Sequence, residues 1–329
     1  MLSREPLLVT LVKLVELIPM PEKPEKRGRG RPKVYSDRII VKALVVMIIR
    51  RLYTAYSLLA FLEQDTELTN QLKELLKTDD GQFAVRRTWE RRLEQLPETL
   101  PGLIGCLGRY LVTLVKPWGD NGKAAALDST PLRAKGGVWH QKDREKGVVP
   151  HSTIDTDAHW GKSGYHSWWY GWKLHLGCTA GASVWIPLAA ELTPANVYDG
   201  TIAPHLQREL PLDVHYVLGD THYNDDELRA QCRLSDRWLI TTHRGAYPHT
   251  DPGVDVRRIF HKLRSKAIEP FNGLFKNVFE WGGQVPVKGL NRVRLIVLGA
   301  VLVYQLALLY QFQRDKPLAR GIKPLLRAA

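Results

Sequence analysis

Asp128, Asp220 and Glu269 are the side chains on which chemistry can be built. Asp128 follows the apolar run Ala124 to Leu127 in "AALDSTPL". Asp220 follows Tyr216, Val217, Leu218 and Gly219 in "YVLGDTHYNDDEL". Each thus stands at the mouth of a short apolar strand, where a charge is costly unless it is paired, hydrogen-bonded or bound to a metal. Glu269 lies in "RSKAIEPFNGLFKNVF", whose Phe271, Leu274, Phe275 and Val278 make a helical apolar stripe. Lys276 comes two turns after Glu269, about 20° from the same face, so both can look onto one site. Two Asp at strand ends and a Glu on an overlying helix form a set of hard oxygen ligands. Such a set suits Mg²⁺ or Mn²⁺ together with substrate phosphate oxygens. Two such ions can activate water and stabilise the leaving oxygen in an in-line attack on a phosphodiester. Other readings stay open at this level. An Asp after a strand also forms turns or caps helices, and Glu269 could pair with Arg264 or Lys266 at the surface. Asp155, Asp157, Asp199, Asp225 and Asp226 compete as ligands, and spacing alone does not choose among them.

These residues need a scaffold. Past Pro117 the sequence runs in short apolar stretches bounded by turns: "AAAL", "YGWKLHLGCT" (170–179), "SVWIPLAAEL" (183–192), "HYVLG" (215–219) and "RWLIT" (237–241). Helical patterns fall near 198–209, 225–233 and 260–280. Three strands, a helix, a strand, a helix, a strand and a final helix predict an α/β fold, a mixed sheet flanked by helices. Residues 133–168, rich in His, Trp and Gly, read as a long loop inserted between the first two strands. Before residue 120 the pattern is all-helical. A first amphipathic helix ends at the linker "PMPEKPEKRGRGRPK" (19–33), and residues 36–62 read as helix with Ser36 placed as N-cap. The expected organisation is an N-terminal helix and basic linker over 1–35 and a helical DNA-binding domain over 36–118. A catalytic domain over 119–315 and a basic tail over 316–329 complete it.

Composition narrows the partners. The 329 residues carry 47 Lys and Arg against 34 Asp and Glu, a net charge of +13. That excess favours a polyanion, nucleic acid first and an anionic membrane surface second. Cys106, Cys178 and Cys232 lie far apart without a C-x-x-C pair, which fits a reducing cytosol and no disulfide framework. The expected location is cytoplasmic and nucleoid-associated. Leu295 to Phe312 carries no charge over eighteen residues, the minimum for a spanning helix. Its Gln305, Gln311 and two tyrosines favour a helix buried against a sheet, and no membrane is expected as a partner.

Three stretches suit DNA. "RGRGRPK" places Arg29 and Arg31 about Gly30, an AT-hook-like core for a narrow minor groove, or else an ordinary basic linker. "VRRTWERRLEQL" gathers Arg86, Arg87, Arg91 and Arg92 around Trp89 on one helix, a phosphate-contacting or simply solvated face. The inserted loop, with His140, His151, His159, His166, Trp168, Trp169 and Trp172, offers zinc binding, base stacking or plain core. None of its pairs has a recognised ligand spacing.

Together these motifs resemble the DDE-type insertion-sequence transposases of bacteria, whose catalytic domain has an RNase H-like fold. "LDST" resembles the family's first-Asp motif, "GDTHYND" the second, with Tyr223 three residues after Asp220, and Glu269-x6-Lys276 the third. "YGWKLHL" and "ELTPANVYDG" resemble the intervening segments, with Lys173, Asn196 and Asp199 at motif positions. The family often has Tyr and Arg seven and four residues before the Glu; here those places hold Lys262 and Ser265, with Arg264 one place off. The resemblance implies that Asp128, Asp220 and Glu269 hold two Mg²⁺ (or Mn²⁺) ions. Water would cleave at a transposon end, and the freed 3′-hydroxyl would attack target DNA. Lys276 would contact phosphate near the scissile bond, and Tyr223 or His222 would position DNA. Double-stranded DNA at transposon ends and target is the implied partner, bound by a homodimer. The alternative is a catalytically silent, sequence-specific DNA-binding relative.

Overall fold

A computed structural model describes residues 5–20, 34–119, 122–148, 150–163, 167–241 and 253–329. Its apolar runs are strands of one sheet: β1 (Ala124–Arg133), β2 (His159–Ser163), β3 (Ser167–Ala180), β4 (Pro187–Pro194), β5 (Tyr216–Gly219) and β6 (Trp238–Thr241). The long β3 runs antiparallel to all of β1, from Ala124 opposite Ala180 to Arg133 opposite Gly171. Its other edge is shared by β2 and β4, both antiparallel to it. On the far side of β1, β5 and then β6 run parallel. Antiparallel strands on one side and parallel ones on the other make the RNase H-like mixed sheet that the resemblance implies. The parallel pair is closed by crossover helices, as parallel strands require.

Asp128 departs from expectation, because it lies in the middle of β1 and not at its end. The two edges of β1 explain this. Along β3 the ladder continues five residues past Asp128, whereas the ladder to β5 is paired only as far as Ala126 opposite Leu218. Asp128 is therefore at a strand mouth only on the β5 side. Residues 133–168 also differ from a plain loop: they contain β2 and a short helix, α7 (Gln141–Glu145). Trp160 Nε1 donates to the Trp139 carbonyl at 2.8 Å, and Tyr170 Oη to that of Asp155 at 2.6 Å. Arg144 lies 5.1 Å over the Trp139 ring and close against the His159 ring, donating to its unprotonated nitrogen.

Before the sheet come α1 (Leu7–Lys13), α2 (Asp37–Ile49), α3 (Ala55–Leu62), α4 (Glu67–Leu75), α5 (Arg86–Gln95) and α6 (Leu100–Val115). Ser36 caps α2, its Oγ accepting from Ile39 N at 3.4 Å. The helix expected over 36–62 is two, because Arg51 takes a left-handed φ of 57° and Thr54 with Ser57 starts α3 through a capping box. After β4 follow α8 (Asp199–Glu209), α9 (Asp226–Leu234), α10 (Gly253–Phe279), α11 (Leu290–Gln313) and α12 (Ile322–Ala328). α8 packs on β1, β3 and β4, and α10 on β1, β3, β5 and β6. The apolar α11, uncharged from Leu295 to Phe312, is long enough to span a membrane, yet it is buried against α6, α2 and β4. Its Gln305 amide donates to the carbonyls of Ile104 and Pro187, both at 2.8 Å, which ties helix and sheet together at one polar point. One hydrophobic core runs through the N-terminal helices, α11 and the sheet.

Candidate active site

The sheet register sets the first two acids side by side. Carried two residues past Ala126 opposite Leu218, it places Asp128 level with Asp220, and neighbours at one level of a parallel sheet share a face. Asp220 is held by the turn behind it, its Oδ1 accepting from His222 N at 2.8 Å. Gly219 makes that turn feasible: a Cβ there would lie 2.6 Å from Tyr223 Cβ. Tyr223 folds back beneath the strand end and is 0% exposed. It is thus a pillar under Asp220 and not a group facing DNA, a correction to the role the resemblance implied. Burial, aided by the nearby carboxylates, pushes its phenol well above the usual range, so it stays neutral. Gly219→Ala is expected to lose roughly 1–3 kcal/mol of stability by overpacking, read as a lower denaturant midpoint at unchanged slope.

α10 brings the rest. Asn272 Nδ2 donates to Asp128 Oδ2 at 3.3 Å. Arg264 Nη1 lies 3.8 Å from Asp128 Oδ1, and Arg264 Nη2 lies 3.5 Å from Glu269 Oε1. The arginine one place off the family position is therefore the one that reaches both acids; Lys262 is exposed and Ser265 half-buried. Burial raises the Asp128 pKa to about 7; Arg264 opposes that shift, while Asp220 and Asp199 add to it. Lys276, two turns on along α10, feels the same acid: burial lowers its pKa, and Asp128 partly offsets the shift. The Glu269 side chain is 57% exposed, on the rim. Asn272 was missed in the sequence, although its place three residues after Glu269 puts it on the stripe shared with Lys276.

Residues 121–306, more than half of the chain, match the transposase DDE domain. The chain belongs to that family. No curated protein matches. One solved structure, a cryo-EM structure of the piggyBac transposase synaptic complex with hairpin DNA, aligns with 99% of this chain and 76% of that one. At 9% identity and a TM-score of 0.37, nothing is argued from that likeness.

The other acids of this DDE-domain chain have structural employment. Asp155 and Asp157 accept from Gly289 N at 3.0 Å and Leu290 N at 2.9 Å, at the start of α11. Asp225 caps α9 by accepting from Leu228 N at 2.8 Å, and Asp226 stands in solvent. Asp199 accepts from Ser129 Oγ at 3.0 Å and from Lys173 Nζ at 2.9 Å. Lys173 is consequently a half-buried ion-pair partner and not a free DNA contact. His175, 3.6 Å from Asp199, has its pKa lowered by burial to about 4 and is neutral.

Of the arginines on α5, Arg92 is 5% exposed and bonds Asp37 at 2.5 Å and the Tyr35 carbonyl at 3.1 Å, so it fastens α5 to α2 and does not meet phosphate. Arg86, Arg87 and Arg91 are exposed, Arg86 beside Glu90 at 3.2 Å. Asn196 and His222 are exposed, His222 in the turn that carries Asp220. Arg29, Arg31 and His166 lie outside the described residues.

Among the described residues, no three His, Cys, Asp or Glu side chains are gathered as a metal site. The donors nevertheless fit a hard divalent cation. Asp128 and Asp220 are paired oxygen donors on one sheet face, and the Asp128 carboxylate is desolvated with only a long contact to a cation. A bound cation would invert that pKa logic and favour the charged form. Glu269 is one guanidinium away from joining them.

Proposed function

We propose that this chain is a DNA transposase that binds the terminal repeats of its element, cleaves a strand there with a divalent metal, and joins the freed end to target DNA. The observation that carries this reading is Asp128, half-buried level with Asp220 under a helix that supplies Glu269, Asn272 and Lys276. Asp128, Asp220 and Glu269 would hold Mg²⁺ or Mn²⁺, two ions in the full reaction. Bound there, such ions activate water and neutralise charge on the transferring phosphoryl group. The protein's own share is positioning. Lys276, half-buried on α10 within electrostatic reach of Asp128, offers a cation to a phosphate oxygen at the site. Asn272 fixes the rotamer of Asp128, and the turn at His222 fixes that of Asp220. Arg86, Arg87 and Arg91 supply an exposed basic face for the DNA backbone, in keeping with the +13 net charge. Two ends must be joined, so the working assembly on DNA is a homodimer, acting in the cytoplasm at the nucleoid.

The test incubates the protein with DNA flanking its gene in Mg²⁺ or Mn²⁺, beside Asp220→Asn and Glu269→Gln. Nicks at the repeat ends are expected, slowed by roughly a hundredfold or more in each variant. Binding without cutting in the wild type would assign the chain instead to a silent DNA-binding relative.

A further inference from the structure

The residues behind the acids form a connected set. Ser129 follows Asp128 on β1, so its side chain points to the opposite face of the sheet, toward α8. There Asp199, the first residue of α8, accepts from Ser129 Oγ at 3.0 Å and is held by Lys173, which also donates to the Val197 carbonyl at 2.9 Å. The residue before it, Tyr198, donates from Oη to the His222 carbonyl at 2.7 Å, in the turn that carries Asp220. Gly200 lets Tyr198 fold back this way, since a Cβ there would lie 2.5 Å from the Tyr198 ring. Two adjacent residues thus hold a chain neighbour of each acid, Asp199 through the Ser129 hydroxyl and Tyr198 through the His222 carbonyl.

Such a grip has a physical purpose. Asp128 and Asp220 are two carboxylates at one level of adjacent strands, and among the described residues Asp128 meets a cation only at 3.8 Å, in Arg264. Left alone, repulsion would spread the unpaired mouth between β1 and β5, where the ladder stops. Ligands held by a rigid second layer of hydrogen bonds bind a metal better than ligands left to find their places.

We propose that Tyr198 and Asp199 are positioning residues: by holding His222 and Ser129, the start of α8 sets the spacing of Asp220 and Asp128 for a shared divalent cation. The inference rests on the metal-dependent reading given above. Asp199→Asn is a poor probe, because it leaves the half-buried Lys173 without its ion-pair partner. Ser129→Ala and Tyr198→Phe each remove one hydroxyl and leave the packing in place.

Calorimetric titration of Mn²⁺ into the full-length protein decides the matter, with Thr179→Val as the control. Thr179 Oγ1 donates to the Val184 carbonyl at 2.7 Å, a buried hydrogen bond at the far end of β3. The Ser129→Ala/Tyr198→Phe double variant is expected to bind Mn²⁺ about tenfold more weakly than wild type, and each single variant less so. Thr179→Val should lose comparable thermal stability yet keep wild-type Mn²⁺ affinity, and Asp220→Asn should lose binding. Wild-type affinity in the double variant, or an equal loss in Thr179→Val, overturns the positioning role and leaves the metal reading standing. If wild type and Asp220→Asn take up Mn²⁺ alike, the metal reading itself falls, and this role falls with it.

Discussion

Asp128→Asn is expected to raise the melting temperature of the metal-free protein at pH 8 and to leave it nearly unchanged at pH 3. Burial sets the Asp128 pKa in the folded chain at about 7, against an ordinary value of 3.8. Below the ordinary value the group is neutral in both folded and unfolded chains, and nothing is lost. As pH rises from there to about 7, the unfolded chain gives up its proton while the folded chain keeps it, so stability falls steadily. Above about 7 the loss is constant. At 1.36 kcal/mol per unit it is ~4 kcal/mol, a large share of a typical net stability. Asparagine carries no charge to desolvate and retains the shape, so the variant escapes the penalty; for a chain of this size the gain is on the order of 5 °C. The same change removes a metal donor. Mn²⁺ should therefore raise the wild-type melting temperature at pH 8 while moving the variant little. Thermal unfolding in chelator across pH 3–9, repeated with Mn²⁺, checks both halves. Parallel curves for the two proteins at every pH would show that Asp128 is not a desolvated carboxylate in solution.

The legible parts of this site were those written in local pattern. The run Tyr216 to Gly219 followed by Asp220 reads as strand, break and acid because the strand is short and buried on both faces. Helix α10 announced itself through Phe271, Phe275 and Val278, and α11 through a long apolar run broken by two hydrogen-bonded glutamines, Gln305 and Gln311. What stayed hidden was set by distant pairing. β1 continues past Asp128 only because β3 is long enough to hold it, and nothing near residue 128 records that. The Lys173–Asp199 pair joins residues on separate elements that look, in the sequence, like any exposed Lys and any turn-forming Asp. Tyr223 reads as an accessible aromatic in a polar turn, and only the close approach of Gly219 shows that it must turn inward. Arg92 is a different case. It sits three residues after the fully buried Trp89, so helical spacing alone separates it from its exposed neighbours Arg87 and Arg91.

Arg264→Met is expected to lower the metal-free melting temperature at pH 8, to do so far less in an Asp128→Asn background, and to be rescued by Mn²⁺. Two effects oppose each other at this residue. Arg264 is itself buried, and its Nε and Nη1 have no hydrogen-bond partner among the described residues, so its removal relieves a desolvated cation. Its removal also takes away the strongest influence that lowers the Asp128 pKa. Magnitudes decide the sign. Deleting one member of a buried pair typically costs ~3–5 kcal/mol because the other charge is stranded, whereas replacing both is often neutral or stabilising. The single variant should therefore lose stability and the double variant should regain it, a coupling that a double-mutant cycle measures directly. The guanidinium also lies between Asp128 and Glu269, at 3.8 and 3.5 Å, in the space a shared cation needs. With Met there, Mn²⁺ has no resident cation to displace and supplies the missing positive charge. It should then raise the melting temperature of Arg264→Met more than that of wild type. An equal loss from Arg264→Met in both backgrounds would break the link to Asp128 and leave Arg264 as packing alone.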